Sequence, residues 1–109
     1  MRILKEDNTI VFTQEESSVE AFKEALQDVY NQYISDNIIL VLTTEVIKNE
    51  DLTSFFKLSN NHREAKQSFV MVSQHVDIDY SPQELVIVPT LQEAHDFIEM
   101  EDMERDLGF

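Results

Sequence analysis

Asn37-Ile38-Ile39-Leu40-Val41-Leu42-Thr43-Thr44, residues 37–44, is the stretch whose reading decides the fold. Ile38 to Leu42 form an unbroken aliphatic and β-branched run, far shorter than the roughly 20 residues of a membrane span and characteristic of a strand covered on both faces. It reads as the central strand of a sheet, and its neighbours should supply the covering layers.

Upstream, Val19, Phe22, Leu26, Val29 and Tyr33 recur at steps of three and four, which draws one apolar stripe along a helix ending near Ile34. Ser17 and Glu20 have the spacing of a capping box at its start. Before it, Arg2-Ile3-Leu4 and Thr9 to Thr13 flank the polar Lys5 to Asn8, where Asp7 and Asn8 suit a turn, so the chain is predicted to open with a hairpin at a sheet edge.

Downstream, Leu52, Phe55, Phe56, Ser59, His62 and Ala65 follow helical spacing as far as about Lys66, with Asn49 as the expected N-cap and Glu50 and Asp51 favouring the positive helix end. Ser68 to Ser73 and Leu85 to Val88 are two further strands. Ser81-Pro82-Gln83-Glu84 predicts one turn of helix between them. Thr90-Leu91-Gln92-Glu93 is a second capping box, opening a C-terminal helix through Leu91, Ala94, Phe97 and Ile98.

Bulk properties narrow the function classes. A chain of 109 residues with 42% hydrophobic content fits one domain spanning 1–109. The net charge of −14, from 22 acidic against 8 basic side chains, disfavours nucleic acid and anionic membrane as direct ligands. The only glycine is Gly108, so no internal loop has the glycines with which phosphate-binding loops bring their amides to a nucleotide. Without cysteine there is neither a disulfide nor a thiolate metal site. No apolar leader segment opens the chain, and a cytoplasmic location is expected.

Strands alternating with helices predict an α/β architecture: a mixed, largely parallel sheet of about five strands with an N-terminal hairpin and three to four helices. The succession of hairpin, Ile38–Leu42 strand, helix from Leu52, Phe69–Val72 strand and the Pro89-Thr90-Leu91-Gln92-Glu93-Ala94 helix start resembles the STAS domain. That fold belongs to anti-sigma-factor antagonists and to the cytoplasmic tails of anion transporters. The resemblance implies a non-enzymatic regulatory module that binds another protein, such as an anti-sigma-factor or kinase-like partner, and uses no cofactor.

Phosphorylatable STAS domains carry Asp-Ser-Ser-Gly-Leu between the central strand and the next helix, whose second serine accepts phosphate. The corresponding run here is Lys48-Asn49-Glu50-Asp51-Leu52, which puts Glu50 at the phosphoserine position. Two readings of Glu50 and Asp51 stand side by side: ordinary acid placement in a first helical turn, and a fixed charge that partly stands in for phosphoserine. Thr44, Lys48, Asn49, Glu50, Asp51 and Ser54 form the expected partner-binding segment, and Thr43, Thr44, Thr53 and Ser54 are secondary phosphate-acceptor candidates.

Other chemistry is sparse. His75, Asp77 and Asp79 alternate and could face one side of an extended loop as metal ligands, but three ligands from one loop are a weak signal, a solvated acidic loop is the preferred reading, and no metal site is expected. His62 suits a hydrogen-bonded packing role, and His95 is expected to face water. Glu93, Asp96, Glu99, Glu101, Asp102, Glu104 and Asp106 oppose the single Arg105 in the acidic C-terminal segment, about 91–109, so its end should fray unless something basic lies against it. Interleaved with Phe97, Met100, Met103, Leu107 and Phe109, this segment offers the alternative function, a charge mimic that occupies the basic surface of a nucleic-acid-binding protein.

Overall fold

The computed structural model describes residues 1–76 and 84–108. The expected helical turn at Ser81–Glu84 falls largely outside them, as do Asp77, Asp79 and Phe109. The elements are β1 (Arg2–Glu6), β2 (Thr9–Thr13), α1 (Val19–Val29) continued by a 3-10 turn (Tyr30–Tyr33), β3 (Asn37–Val41), α2 (Asn49–Thr53), α3 (Phe56–Glu64), β4 (Phe69–Val72), β5 (Val86–Val88) and α4 (Leu91–Asp106). The sheet has five strands in sequence order, with the decisive run at its centre. β1 and β2 pair antiparallel and the remaining neighbours pair parallel.

Side-chain alternation divides the core into two layers. Ile10, Phe12, Ile38, Leu40, Phe69 and Met71 point to one face, where Val19, Phe22 and Leu26 of α1 and Leu52 and Phe55 of the α2–α3 segment cover them. Val11, Ile39, Val70 and Val72 point to the other face and meet Ala94 and Ile98 of α4. Consecutive right-handed crossovers in one direction along a sheet deposit their helices on the same side, so α1 and the α2–α3 segment share one face, while α4, which follows the last strand, covers the other. No helix of the described residues is long and apolar enough to cross a membrane.

Several local expectations shift. Ser18 rather than Ser17 caps α1, its Oγ accepting from the Ala21 N–H at 3.1 Å, and the position three residues on is therefore an alanine with no carboxylate to return the bond. The single helix expected over 49–66 is broken between Thr53 and Phe56. There the Thr53 hydroxyl donates to the Glu50 carbonyl at 3.3 Å and that of Ser54 to the Asp51 carbonyl at 2.7 Å. Phe55 N–H bonds the Leu52 carbonyl three residues back, so the turn tightens and sinks Phe55 fully into the core. The break also resolves the Phe55–Phe56 pair: Phe56 stays half-buried.

The end of α3 is closed without glycine. Gln67 N–H bonds the His62 carbonyl at 3.3 Å and Lys66 N–H the Arg63 carbonyl at 3.0 Å, a Schellman arrangement with Lys66 held at φ 68°. A side chain in that left-handed region is strained, and glycine relieves it. Lys66→Gly is expected to raise the unfolding free energy by about 1 kcal/mol, read as a higher urea midpoint at unchanged slope.

Candidate functional site

The candidate site begins where β3 ends, at a turn fixed from beneath by Gln14. This side chain is almost wholly buried. Its Oε1 accepts from the Thr43 N–H at 3.0 Å and the Thr44 N–H at 3.3 Å, while its Nε2 donates to the Glu16 carbonyl at 3.0 Å and to the Thr44 hydroxyl. The Thr43 hydroxyl returns a bond to the Gln14 carbonyl at 3.1 Å. A buried amide that meets backbone groups of two segments at once sets the exit direction of the loop. Thr43 and Thr44 are thus committed to internal bonds.

The loop then carries Val46 into solvent at 71% exposure and enters α2. Lys48, not Asn49, is the residue before the helix, and Asn49 is its first helical residue. A lysine side chain has no acceptor, so only half of a capping box forms: the Asp51 carboxylate accepts from the Lys48 N–H at 3.0 Å. Asp51 is half-buried by this role, whereas Lys48, Asn49 and Glu50 are exposed. Among the described residues Lys48, Glu50 and Asp51 form no salt bridge, so the exposed Glu50 carboxylate is not tied to a basic side chain. Ser54 is half-buried with its hydroxyl spent on the Asp51 carbonyl.

A trough runs between α1 and α2. Its first part, about 340 Å³, is lined by Ser17, Ser18, Val19 and Glu20 on one side and Thr44, Val46, Lys48 and Asp51 on the other. A second part of about 290 Å³ continues past Glu20 and Asp51 to Lys23, Glu50 and Ser54. Five of the six expected contact residues, all but Asn49, therefore share one surface feature. The α1 wall and Val46 join them; Val46 escaped the sequence reading because an isolated valine in a polar loop carries no periodic signal.

A different hollow, of about 400 Å³, lies at the carboxyl ends of β3, β4 and β5 beside the start of α4, where open parallel sheets commonly hold ligands. Among the described residues His75 is its only titratable lining residue, and the Ser73 hydroxyl accepts from the His75 N–H at 3.1 Å. No carboxylate converges on it among the described residues, and no group of three metal-ligating side chains occurs among them.

The remaining histidines are occupied. His62 is fully buried, with its Nε2 2.7 Å from the Asp36 carbonyl and its Nδ1 2.7 Å from the Tyr30 hydroxyl. A carbonyl only accepts, so Nε2 carries the proton and Nδ1 takes the bond from Tyr30. Burial pushes the His62 pKa below the ordinary imidazole value, against the opposing effects of the Asp36 carbonyl and carboxylate; burial also raises that of Tyr30. His95, expected in water, is half-buried with Nε2 3.2 Å from Glu6, because α4 crosses the sheet near the end of β1.

The acidic C-terminal segment also departs from expectation, since α4 continues to Asp106 and part of its charge is used internally. The Ser68 hydroxyl donates to Glu101 at 2.6 Å, Asn37 Nδ2 to Asp102 at 3.4 Å, and Arg105 to Ser68 at 3.1 Å and to Asp102. Arg63 stands 3.9 Å from Glu101. The basic groups needed at this helix end are thus Arg105 itself and Arg63 from α3. No protein-family model matches the chain, and no curated protein shows significant similarity to it.

Proposed function

We propose that this chain is a non-enzymatic, STAS-like regulatory module of the cytoplasm that works by binding another protein through the α1–α2 trough. The observation that carries this reading is the exposed Glu50 in the first turn of α2, in no salt bridge among the described residues, on the same trough as the solvent-facing Val46 and beyond a turn braced by Gln14. A loop whose start is pinned by Gln14 and whose far end is a helix start has less freedom to lose on binding, which favours recognition by its apolar Val46 and the charged Glu50 that follows. Glu50 acts in this reading as a permanent partial substitute for a phosphoserine, and the partner is the kinase-like or anti-sigma-factor-like protein that such domains meet.

A second reading is favoured by α4, whose outer surface exposes Glu93, Asp96, Glu99, Glu104 and Asp106 around exposed Met100, Met103 and Leu107. That surface suits a basic partner by charge mimicry. One experiment separates the two: capture from an extract of the native cells, quantified by mass spectrometry. The trough reading expects Val46→Asp/Glu50→Lys to lose the captured protein roughly tenfold, Met103→Asp to retain it, and salt to matter little. Equal capture by wild type and the trough variant removes the first reading; loss with Met103→Asp and with moderate salt establishes the second.

A further inference from the structure

β1 forms one edge of the sheet, and all five of its residues are exposed, Ile3 at 40% and Leu4 at 50%. Parity along β2 decides which of its backbone groups are unpaired. The Asn8 carbonyl accepts from the Asn37 N–H at 2.8 Å and the Gln14 N–H donates to the Val41 carbonyl at 2.9 Å, so even-numbered residues of this segment bond toward β3. Thr9, Val11 and Thr13 therefore bond toward β1, where their register partners are Glu6, Leu4 and Arg2. Ile3 and Lys5 direct their N–H and C=O groups outward, a template for another strand.

We propose that this edge pairs with the same edge of a second copy, antiparallel about a two-fold axis through Leu4, joining two five-stranded sheets into one. In that register the outward groups of Ile3 meet those of the partner's Lys5, and the reverse, which closes four backbone bonds in about the spacing an antiparallel ladder requires. Leu4 meets the partner's Leu4. Arg2 stands opposite the partner's Glu6 on the same face, twice by symmetry, so an apolar centre is flanked by two opposite-charge pairs.

Edge strands commonly use charged side chains to repel a second chain, but here the sequence Arg-Ile-Leu-Lys-Glu is self-complementary when reversed about its middle residue. Moving the axis to Lys5 brings two ammonium groups together, and moving it to Ile3 loses both arginine–glutamate pairs. The long-range field points the same way. The chain carries −14 overall, and β1 has two of its 8 basic residues against one acid, so a second copy meets less repulsion here than at the acidic α4. Contacts within the chain leave the strand accessible: Lys5, 3.8 Å from Asp36, keeps 62% of its side chain exposed, and Glu6, 3.2 Å from His95, keeps 47%, which leaves room for an arginine from a second copy.

The test is sedimentation equilibrium of the full chain, with circular dichroism to confirm folding. Wild type is expected to dimerise reversibly. Arg2→Glu sets like charges opposite each other twice and should raise the dissociation constant roughly tenfold or more. The swap Arg2→Glu/Glu6→Arg should restore association to near the wild-type level. A wild type that stays monomeric up to millimolar concentration, a dimer indifferent to Arg2→Glu, or a folded swap that fails to recover would each overturn the proposal. This edge lies apart from the α1–α2 trough, so either result leaves the capture experiment to decide the proposed function.

Discussion

Asn37→Ala is expected to lower the unfolding free energy by about 2–3 kcal/mol, although the residue is small and belongs to no apolar stripe. Asn37 starts the central strand, is fully buried, and faces α4 rather than α1. Its Oδ1 accepts from the Ser68 N–H at 2.9 Å, which satisfies the first amide before β4, and also from Arg105 at 3.4 Å. Its Nδ2 faces Asp102 at 3.4 Å. Alanine would leave a buried N–H without an acceptor and would remove one side of the cradle that holds Arg105 and Asp102 together, so the cost exceeds that of one ordinary hydrogen bond. The last turns of α4 should loosen with it. Urea unfolding followed by circular dichroism gives the loss of stability, and hydrogen exchange of the amides from Glu101 to Asp106 gives the loosening. The exposed Asp106→Ala should stay within about 0.5 kcal/mol of wild type. A matching small effect for Asn37→Ala would mean that packing of Ala94 and Ile98 alone holds α4 in place.

What the sequence discloses and what it conceals divide along physical lines. Ile38 to Leu42 betray the central strand because burial on both faces permits no polar interruption, and β1–β2 is legible because Asp7, at φ 54°, tolerates the left-handed conformation a two-residue turn needs. Helix starts are legible to within one residue: adjacent Ser17 and Ser18 offer the same hydroxyl, and only the backbone angle distinguishes them. The break at Ser54 is hidden, since Leu52, Phe55, Ser59 and His62 fit an uninterrupted helix and the competing hydroxyl bonds depend on local geometry. Gln14, Asn37 and Ser68 are hidden for another reason. Each is a polar residue whose burial is compensated by partners roughly 30 or more positions away, and no periodicity records such pairing. The acids of α4 look from the sequence like a solvated or partner-facing strip, yet Asp102 bonds to Asn37 at the start of β3 and Glu101 to Ser68 just before β4. Of the candidate site, the segment Thr44–Ser54 was legible from its place after the central strand; Val46 and the α1 wall required the third dimension.

His62 governs the second large effect, on both stability and its dependence on pH. The ring is fully buried beneath the α1–α3 seam, edge-on to Tyr30 and Phe69 at centroid distances of 5.5 and 6.0 Å, with both nitrogens bonded. His62→Ala therefore removes packing and two hydrogen bonds together, and is expected to cost about 3 kcal/mol. The pH effect follows from protonation. A second proton on the ring would sit on Nδ1, where it displaces the bond from Tyr30 and places a charge in an apolar layer; burial accordingly holds the folded-state pKa below its unfolded value. The contribution is present above the unfolded value of about 6.5 and is lost as pH falls from there through the depressed folded value, with a slope of at most about 1.4 kcal/mol per pH unit. Glu16, whose carboxyl the Met1 amine holds below its ordinary range, adds its own loss only at more acid pH. Urea midpoints between about pH 7 and about pH 5 should thus fall in the wild type. In His62→Phe, which keeps the aromatic volume but neither hydrogen bond, the starting stability should be lower and the His62 share of that fall absent. Parallel pH curves for the two proteins would show that His62 is protonated at no cost in the folded chain, and hence that the Tyr30–His62–Asp36 bonds do not hold the ring neutral.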